Sequence, residues 1–243
     1  MKYNDHPLRH ELKYLISYAD YYSLAPQLNQ FMPYDRYCQE SGYFIRSLYF
    51  DDVYSSAYRD KEAGIARRRK HRIRIYNLSD SVIKFEIKDK FDSYISKTSA
   101  SITREQLSSI IDGDCDFMLD SDKRALRMGF IDFRTKLLRP KVVVDYLREA
   151  LVCEEGNVRI TFDSQLRAGF GSYDIFDPQM ATVPAIESDR LILEVKYDDY
   201  LPTYIKKLLA PLDRWQTSQS KFVMCRDAQN TYYRKEPPYG FAL

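Results

Sequence analysis

Lys70-His71-Arg72-Ile73-Arg74-Ile75-Tyr76 and, close behind it, Lys84-Phe85-Glu86-Ile87-Lys88 alternate charged and apolar residues at every second position. Side chains at i, i+2 and i+4 of a β-strand share one face. Lys70, Arg72, Arg74 and Tyr76 therefore line one surface, while Ile73 and Ile75 line the other. Glu86 and Lys88 stand in the same way against Phe85 and Ile87. The pattern returns in Arg9-x-Glu11-x-Lys13, Tyr146-x-Arg148, Arg159-x-Thr161-x-Asp163 and Glu194-x-Lys196. Mixed-sign stripes on so many strands predict a sheet curled around a charged lumen, and such a lumen suits a polyanionic ligand.

Working outward, the spacing predicts strands at about 8–17, 43–50, 67–77, 81–90, 94–101, 140–152, 157–163 and 189–198. Helices are expected over 21–31, 55–62, 103–112, 116–129, 203–209 and 218–229. Thr103-Arg104-Glu105-Gln106 has the form of a capping box, and Pro202 sits where a first helical turn tolerates proline. Segment 164–188, with Gly169, Gly171, Pro178 and Pro184, reads as the loosest part of the chain. Long strands joined by hairpins, with helices inserted between them, predict an α+β fold built on a large antiparallel sheet. The 243 residues carry no repeat or linker, which predicts one domain over 1–243 ending in a tail at 230–243.

Composition removes several function classes. Net charge is only +2, from 37 basic and 35 acidic residues, which argues against a coat of nucleic acid or anionic lipid. Positive charge is instead concentrated between Arg67 and Arg74, although Arg67 to Lys70 alone reads as a solvated turn. Four scattered cysteines and three histidines give no zinc spacing and predict reduced thiols in a cytoplasmic protein. The N-terminus has no apolar run of the signal-peptide kind. No stretch reaches the ~18 apolar residues of a membrane span, so membrane association would need a membrane-protein partner. P-loop, G-x-S-x-G and H-E-x-x-H motifs are absent, and so few histidines leave little room for a Ser-His-Asp triad.

The charged strands fit phosphate chemistry, which asks for positioning and charge neutralisation more than for a protein nucleophile. Arginine offers a fork of donors to phosphate oxygens, and lysine a compact charge. Glu11, Glu86 and Glu194, interleaved on the same faces, are oxygen ligands suited to Mg²⁺ or Mn²⁺. A groove built purely for nucleic acid would avoid them.

Eight motifs then point one way: Arg9-x-Glu11-x-Lys13-Tyr14, Ser47-Leu48-Tyr49-Phe50-Asp51, Arg69-x-x-Arg72-x-Arg74-x-Tyr76, Phe85-Glu86-x-Lys88, Tyr146-x-Arg148-x-Ala150, Val158-Arg159-Ile160-Thr161-x-Asp163, Leu193-Glu194-Val195-Lys196-Tyr197 and Ser220-Lys221-Phe222. In order over about residues 8–225, they resemble the VTC domain, the polyphosphate polymerase module among the triphosphate tunnel metalloenzymes. The resemblance implies a closed antiparallel β-tunnel of about eight strands, open at both ends, with helices packed outside. It implies a metal-dependent phosphotransferase using Mn²⁺ or Mg²⁺, with ATP, orthophosphate and polyphosphate as partners and no nucleic acid. Arg72, Arg74, Lys88, Arg148 and Lys196 would be catalytic, while Lys13, Lys70, Lys97, Arg159, Ser220 and Lys221 would bind phosphate. Glu194 would be the principal metal ligand, with Glu86 and Glu11. Two positions depart from the family pattern: Arg9 stands where tunnel enzymes often open E-x-E-x-K, and Ser218-Gln219 precede Ser220 where another lysine is expected. Three alternatives remain at this level: a triphosphatase of the same fold, a non-catalytic polyphosphate-binding module and, least favoured, an RNA binder.

Overall fold

The structure, a computed structural model, describes residues 2–3, 6–7, 9–38, 42–91, 94–218 and 220–235. Leu8, Gln219 and the end of the tail, 236–243, lie outside the described residues. A small hairpin of β1 (Lys2–Tyr3) and β2 (His6–Pro7) precedes β3 (His10–Ser17), α1 (Tyr18–Asn29), β4 (Tyr43–Asp51) and α2 (Ser56–Glu62). Three long strands follow, β5 (Arg67–Tyr76), β6 (Ser79–Phe91) and β7 (Tyr94–Ser101), then α3 (Arg104–Asp112) and α4 (Arg124–Lys136). The chain returns to the sheet as β8 (Arg139–Cys153), β9 (Val158–Gly169), β10 (Thr182–Pro184) and β11 (Arg190–Tyr197), and ends in α5 (Thr203–Leu209) and α6 (Lys221–Lys235).

The main sheet is antiparallel, in the order β3-β11-β9-β8-β4-β5-β6-β7, with β10 paired to β9. Five strands therefore separate β3 from β6 along the ladder, yet Lys88 of β6 donates to Glu11 of β3. The sheet is curled strongly enough for its charged faces to meet across a lumen.

Closure into a tunnel is the expectation that needs correcting. The ladder stops between β7 and β3, where a single bridge, Arg9 with Ile95, spans the seam. The reason lies on the free edge of β3. Tyr14 bridges Gln216 and the Thr217 amide donates to the Lys13 carbonyl, so a loop occupies the edge that a closing strand would need.

Several elements differ from their sequence reading for local reasons. Helix α1 starts at Tyr18 because Ser17 and Asp20 exchange capping hydrogen bonds. Thr103 and Gln106 form the expected box at α3. The helix expected over 116–129 is a 3-10 turn at Asp116–Met118 followed by α4. Residues 164–169 are not loose: they continue β9, past the left-handed Gln165, and β10 pairs with them. The last helix begins at Lys221 instead of residue 218 and runs on to Lys235.

Apolar faces of the strands build the core. Helices α3 and α4 cover Ile73, Ile75, Phe85 and Ile87, and α1 and α5 cover Ile16, Ile160, Leu193 and Val195. Gly129 lets α4 approach β6 closely, since a Cβ there would stand 2.8 Å from the Phe85 ring. Helix α6 is different. Its Phe222, Val223 and Cys225 pack against Ile45, Val142, Val144, Tyr146 and Ile192, which lie on the lumen side of their strands. The concave face is thus shared between α6 and a charged cavity. Among the described residues no helix is long and apolar enough to cross a membrane.

Candidate active site

The cavity measures about 370 Å³ and lies between the lumen faces of β3, β5, β6 and β11 and the start of α6. Eleven lysine and arginine side chains line it, against two glutamates, Glu11 and Glu194. Strand alternation explains the density. Each charged stripe turns inward, and its apolar partners turn out to the helices.

Glu194 is the hub. Its carboxylate lies 3.0 Å from Lys196 Nζ, 3.3 Å from Lys221, 3.6 Å from Arg148 and 3.7 Å from Lys13. Glu11 is held by Lys13 at 2.8 Å and by Lys88 at 3.0 Å, so Lys13 bridges the two carboxylates. Burial pushes both carboxyl pKa values up, but the surrounding lysines outweigh it and hold Glu11 and Glu194 well below the usual range. Burial also disfavours the charge on Lys13, and the two glutamates more than restore it. Asp163, fully buried, accepts from Arg148 at 2.6 and 2.7 Å and pairs with Lys221 at 2.6 Å. Arg148 and Lys221 are thereby aimed at Glu194 from one side.

On the facing wall, Arg72 pairs with Glu86 at 2.6 Å and donates to the Tyr49 hydroxyl at 2.9 Å. Among the described residues Arg74 makes no ion pair; it donates to Ser47 Oγ at 3.1 Å and the Tyr146 hydroxyl at 2.9 Å. Lys70 Nζ donates to Ser220 Oγ at 2.9 Å and sits 5.0 Å from the Phe222 ring centre. Burial and neighbouring cations push Lys70 well below the ordinary lysine pKa and Lys88 down to about 8.

Eleven of the fourteen residues expected from the sequence line this cavity: Glu11, Lys13, Lys70, Arg72, Arg74, Lys88, Arg148, Glu194, Lys196, Ser220 and Lys221. Lys97, Arg159 and Glu86 do not. Lys97, half exposed, donates to Glu86 at 2.9 Å. Arg159, expected to bind phosphate, pairs instead with Asp35 and the Tyr43 hydroxyl. Both oxygens of Glu86 are taken, by Arg72 and Lys97. Arg68 lines the cavity too, because Arg67–Lys70 is the start of β5 and not a turn. Sequence reasoning missed Lys61, Arg68, Lys90 and Tyr49, and gave Asp163 no role in the site. Arg68 and Lys90 extend the alternation that marked Arg72 and Lys88; Lys61 sits on a helix and carries no such signal.

Among the described residues, no three His, Cys, Asp or Glu side chains converge as a metal cage. Two carboxylates sharing one lysine still fit Mg²⁺ or Mn²⁺. Such ions take one or two protein carboxylates and fill their remaining positions with water and substrate phosphate. Glu194 and Glu11 are the two carboxylates that would hold such an ion.

The fold is shared with solved structures at low sequence identity. The chain is similar to HpAC1 from Hippeastrum, a proposed adenylyl cyclase described as having a dominant triphosphatase activity, with a TM-score of 0.54, 13% identity, and coverage of 91% of this chain and 95% of that one. It is also similar to proposed adenylate cyclases from Bacillus halodurans (TM-score 0.52, 12% identity, 88% and 94% covered) and Vibrio parahaemolyticus (0.50, 10%, 90% and 98%). At these identities the likeness shows the fold alone. No curated protein matches the chain. The VTC domain family model matches residues 8–229, nearly the whole chain and every strand of the charged lumen, and the chain belongs to the VTC domain family.

Proposed function

We propose that this chain is a metal-dependent phosphotransferase that synthesises inorganic polyphosphate, moving the γ-phosphoryl group of ATP onto orthophosphate or a growing chain end. The observation that carries the reading is charge: eleven cations face two carboxylates within about 370 Å³. That excess suits a ligand with several negative charges, and the paired carboxylates suit the divalent ion that accompanies a nucleoside triphosphate.

The residues divide the work. Arg148, Lys196 and Lys221, grouped around Glu194, hold the phosphates nearest the metal site, while Arg72, Arg74 and Lys88 neutralise charge from the facing wall. Lys13, Lys70 and Ser220 hold the remaining phosphate oxygens. A divalent ion held by Glu194 and Glu11 would supply charge neutralisation at the transferring group. An acceptor phosphate oxygen forms the new P–O bond as the bond from the γ-phosphorus to the bridging oxygen breaks, and ADP leaves with that electron pair. Arg72, Arg74 and Arg148 are already held by Tyr49, Ser47, Tyr146 and Asp163 and need no reorganisation during transfer. Lys97 and Arg159 act from outside the cavity in this scheme, and Glu86 serves as an anchor for Arg72.

Hydrolysis is the second reading, favoured by the fold shared with HpAC1. The two differ only in whether water or phosphate occupies the acceptor position. Incubation with ATP and Mn²⁺, assayed for polyphosphate and orthophosphate together, separates them. Polyphosphate that is lost in Glu194→Gln supports the polymerase; orthophosphate alone makes the chain a hydrolase. Tight triphosphate binding without turnover would leave a binding module.

A further inference from the structure

One polar side chain beneath the cavity is left unbonded. Thr161 of β9 shares its strand face with Arg159 and Asp163, while Ile160 and Phe162 turn out to the helices. Thr161 is 1% exposed, and its hydroxyl has no hydrogen-bond partner among the described residues. A buried hydroxyl without a partner costs stability. Valine has the same branched shape, suits a strand equally well and carries no such cost.

The sheet register gives its surroundings. Thr161 stands directly opposite Glu194 on β11 and Ala150 on β8. Residues directly opposite one another hold their Cβ atoms about 4.5–5.5 Å apart, a span that a hydroxyl and a carboxylate can bridge. The flanking rungs on this face set Asp163 between Arg148 and Ile192, and Arg159 between Val152 and Lys196. Ala150, Val152 and Ile192 have no polar side-chain atom to offer. Asp163 is taken by Arg148 and Lys221, and Arg159 turns to Asp35. Glu194 remains, and its oxygens are held by Lys196, Lys221, Arg148 and Lys13. Thr161 does not itself line the cavity, so any effect it has on a ligand passes through Glu194.

We propose that Thr161 is a positioning residue for Glu194, its hydroxyl donating to a Glu194 oxygen once bound phosphate has drawn Lys13, Lys196 and Lys221 away. The inference rests on the reading of Glu194 as a ligand for a divalent ion and adds the group that aims it. A carboxylate released by its lysines is free to turn, and a turning ligand holds a metal weakly. A lysine left in place would orient Glu194 but repel the ion; a hydroxyl orients it without charge. The unbonded state of Thr161 in the free protein is then the cost of a bond reserved for the loaded one.

Wild type, Thr161→Val and Thr161→Ser test this through three quantities. These are Mn²⁺ affinity with tripolyphosphate present, by electron paramagnetic resonance, tripolyphosphate affinity without metal, by calorimetry, and the melting temperature. Loss of a hydrogen bond to a metal-holding carboxylate weakens metal binding by about 10–100-fold, so Thr161→Val should lose about tenfold or more for Mn²⁺. Its metal-free tripolyphosphate affinity should not change, and it should melt at or above wild type, because an unbonded buried hydroxyl has become a methyl. Thr161→Ser, which keeps the hydroxyl, should hold Mn²⁺ as wild type does. Unchanged Mn²⁺ affinity in Thr161→Val overturns the positioning role and leaves Glu194 as a metal ligand. A valine variant that melts well below wild type also overturns it, since the hydroxyl would then be bonded already in the free protein. Equal losses of Mn²⁺ and metal-free tripolyphosphate binding would show a deformed lumen and overturn it as well. Wild type that takes up no Mn²⁺ beyond what tripolyphosphate binds alone overturns the reading of Glu194, and the inference with it.

Discussion

Arg72 and Glu86 stand 2.6 Å apart across one rung of the β5–β6 ladder, and among the described residues theirs is the one opposite-charge rung on the lumen face of that ladder. Toward the β5–β6 turn, the next rung sets Arg74 against Lys84, which leans away to Ser101. Away from that turn, Lys70 faces Lys88 and Arg68 faces Lys90. Glu86 is buried, and burial raises its pKa, but Arg72, Arg74 and Lys97 hold it well below the usual carboxylate range. It anchors the arginines instead of waiting for a metal.

Glu86→Gln should therefore be a stability variant. Removing one partner of a buried pair strands the other charge and costs about 3 kcal/mol. The sign with pH follows from the depressed pKa. A carboxyl whose folded pKa lies below its unfolded value stabilises above the unfolded pKa and loses that contribution as pH falls below it. Urea unfolding should give a lower midpoint for the variant near neutral pH, and the gap to wild type should close under acid conditions. A constant gap from neutral to acid pH would contradict the anchoring role.

Arg74→Ala should separate function from stability in the opposite sense. Arg74 forms no ion pair among the described residues, and Arg72 and Arg148 repel it while Glu86 attracts it through space. Its removal leaves Ser47 and Tyr146 as hydroxyls able to bond each other or water, so the melting temperature should stay within a few degrees of wild type. Loss of charge-assisted bonds to phosphate, worth about 1.5–3 kcal/mol, should weaken triphosphate binding by roughly ten- to a hundredfold. Thermal unfolding and calorimetric titration on the same preparation check both halves.

Metal affinity should depend on phosphate. In the free protein Lys13, Lys88, Lys196 and Lys221 occupy the oxygens of Glu11 and Glu194, and a divalent ion must compete with all of them. A bound triphosphate draws the lysines toward itself and adds its own oxygens. Titration of Mn²⁺ followed by electron paramagnetic resonance should show little binding to protein alone and strong binding with tripolyphosphate present, beyond what tripolyphosphate takes alone. Glu194→Gln should remove the increment. Tight Mn²⁺ binding without phosphate would contradict this coupling.

Strand alternation made the lumen legible from sequence, since Arg72, Arg74, Lys88, Glu194 and Lys196 all sit on strands whose period is two. What escaped was set by elements without that period. Lys61 faces the cavity only because α2 packs against β4, β5 and α6. Asp163 found Arg148 instead of Arg159 because the β8–β9 register, irregular between Asp145 and Leu147, places those two directly opposite. Arg159 was taken by Asp35, in an irregular segment with no pattern to read. Closure failed as an expectation because nothing in the alternation of β3 reveals that Gln216 and Thr217 will occupy its edge. The seating of α6 on the concave face was equally hidden, as its apolar residues would suit either side of a sheet.

Proton uptake should accompany ligand binding above neutral pH. Lys88 is pushed down to about 8, chiefly by burial and then by neighbouring lysines against the pull of Glu11, and Lys70 is pushed well below its ordinary value by burial and cations alone. Lys88 is partly neutral in the free protein at mildly alkaline pH, and Lys70 is shifted in the same direction. A polyanion beside either amine favours the charged form and raises its pKa, so binding there takes up protons while the ligand, already fully ionised, releases none. By linkage, affinity must then fall as pH rises through about 8. Calorimetric titration with ATP, whose terminal phosphate is fully ionised at such a pH, in two buffers of different ionisation enthalpy, should give heats that differ by a positive proton count. Lys88→Met should reduce that count, and Lys70→Met should reduce it independently. Identical heats in the two buffers would mean that both lysines are already charged before the ligand arrives, and the crowding of cations on this wall would then be weaker than its geometry requires.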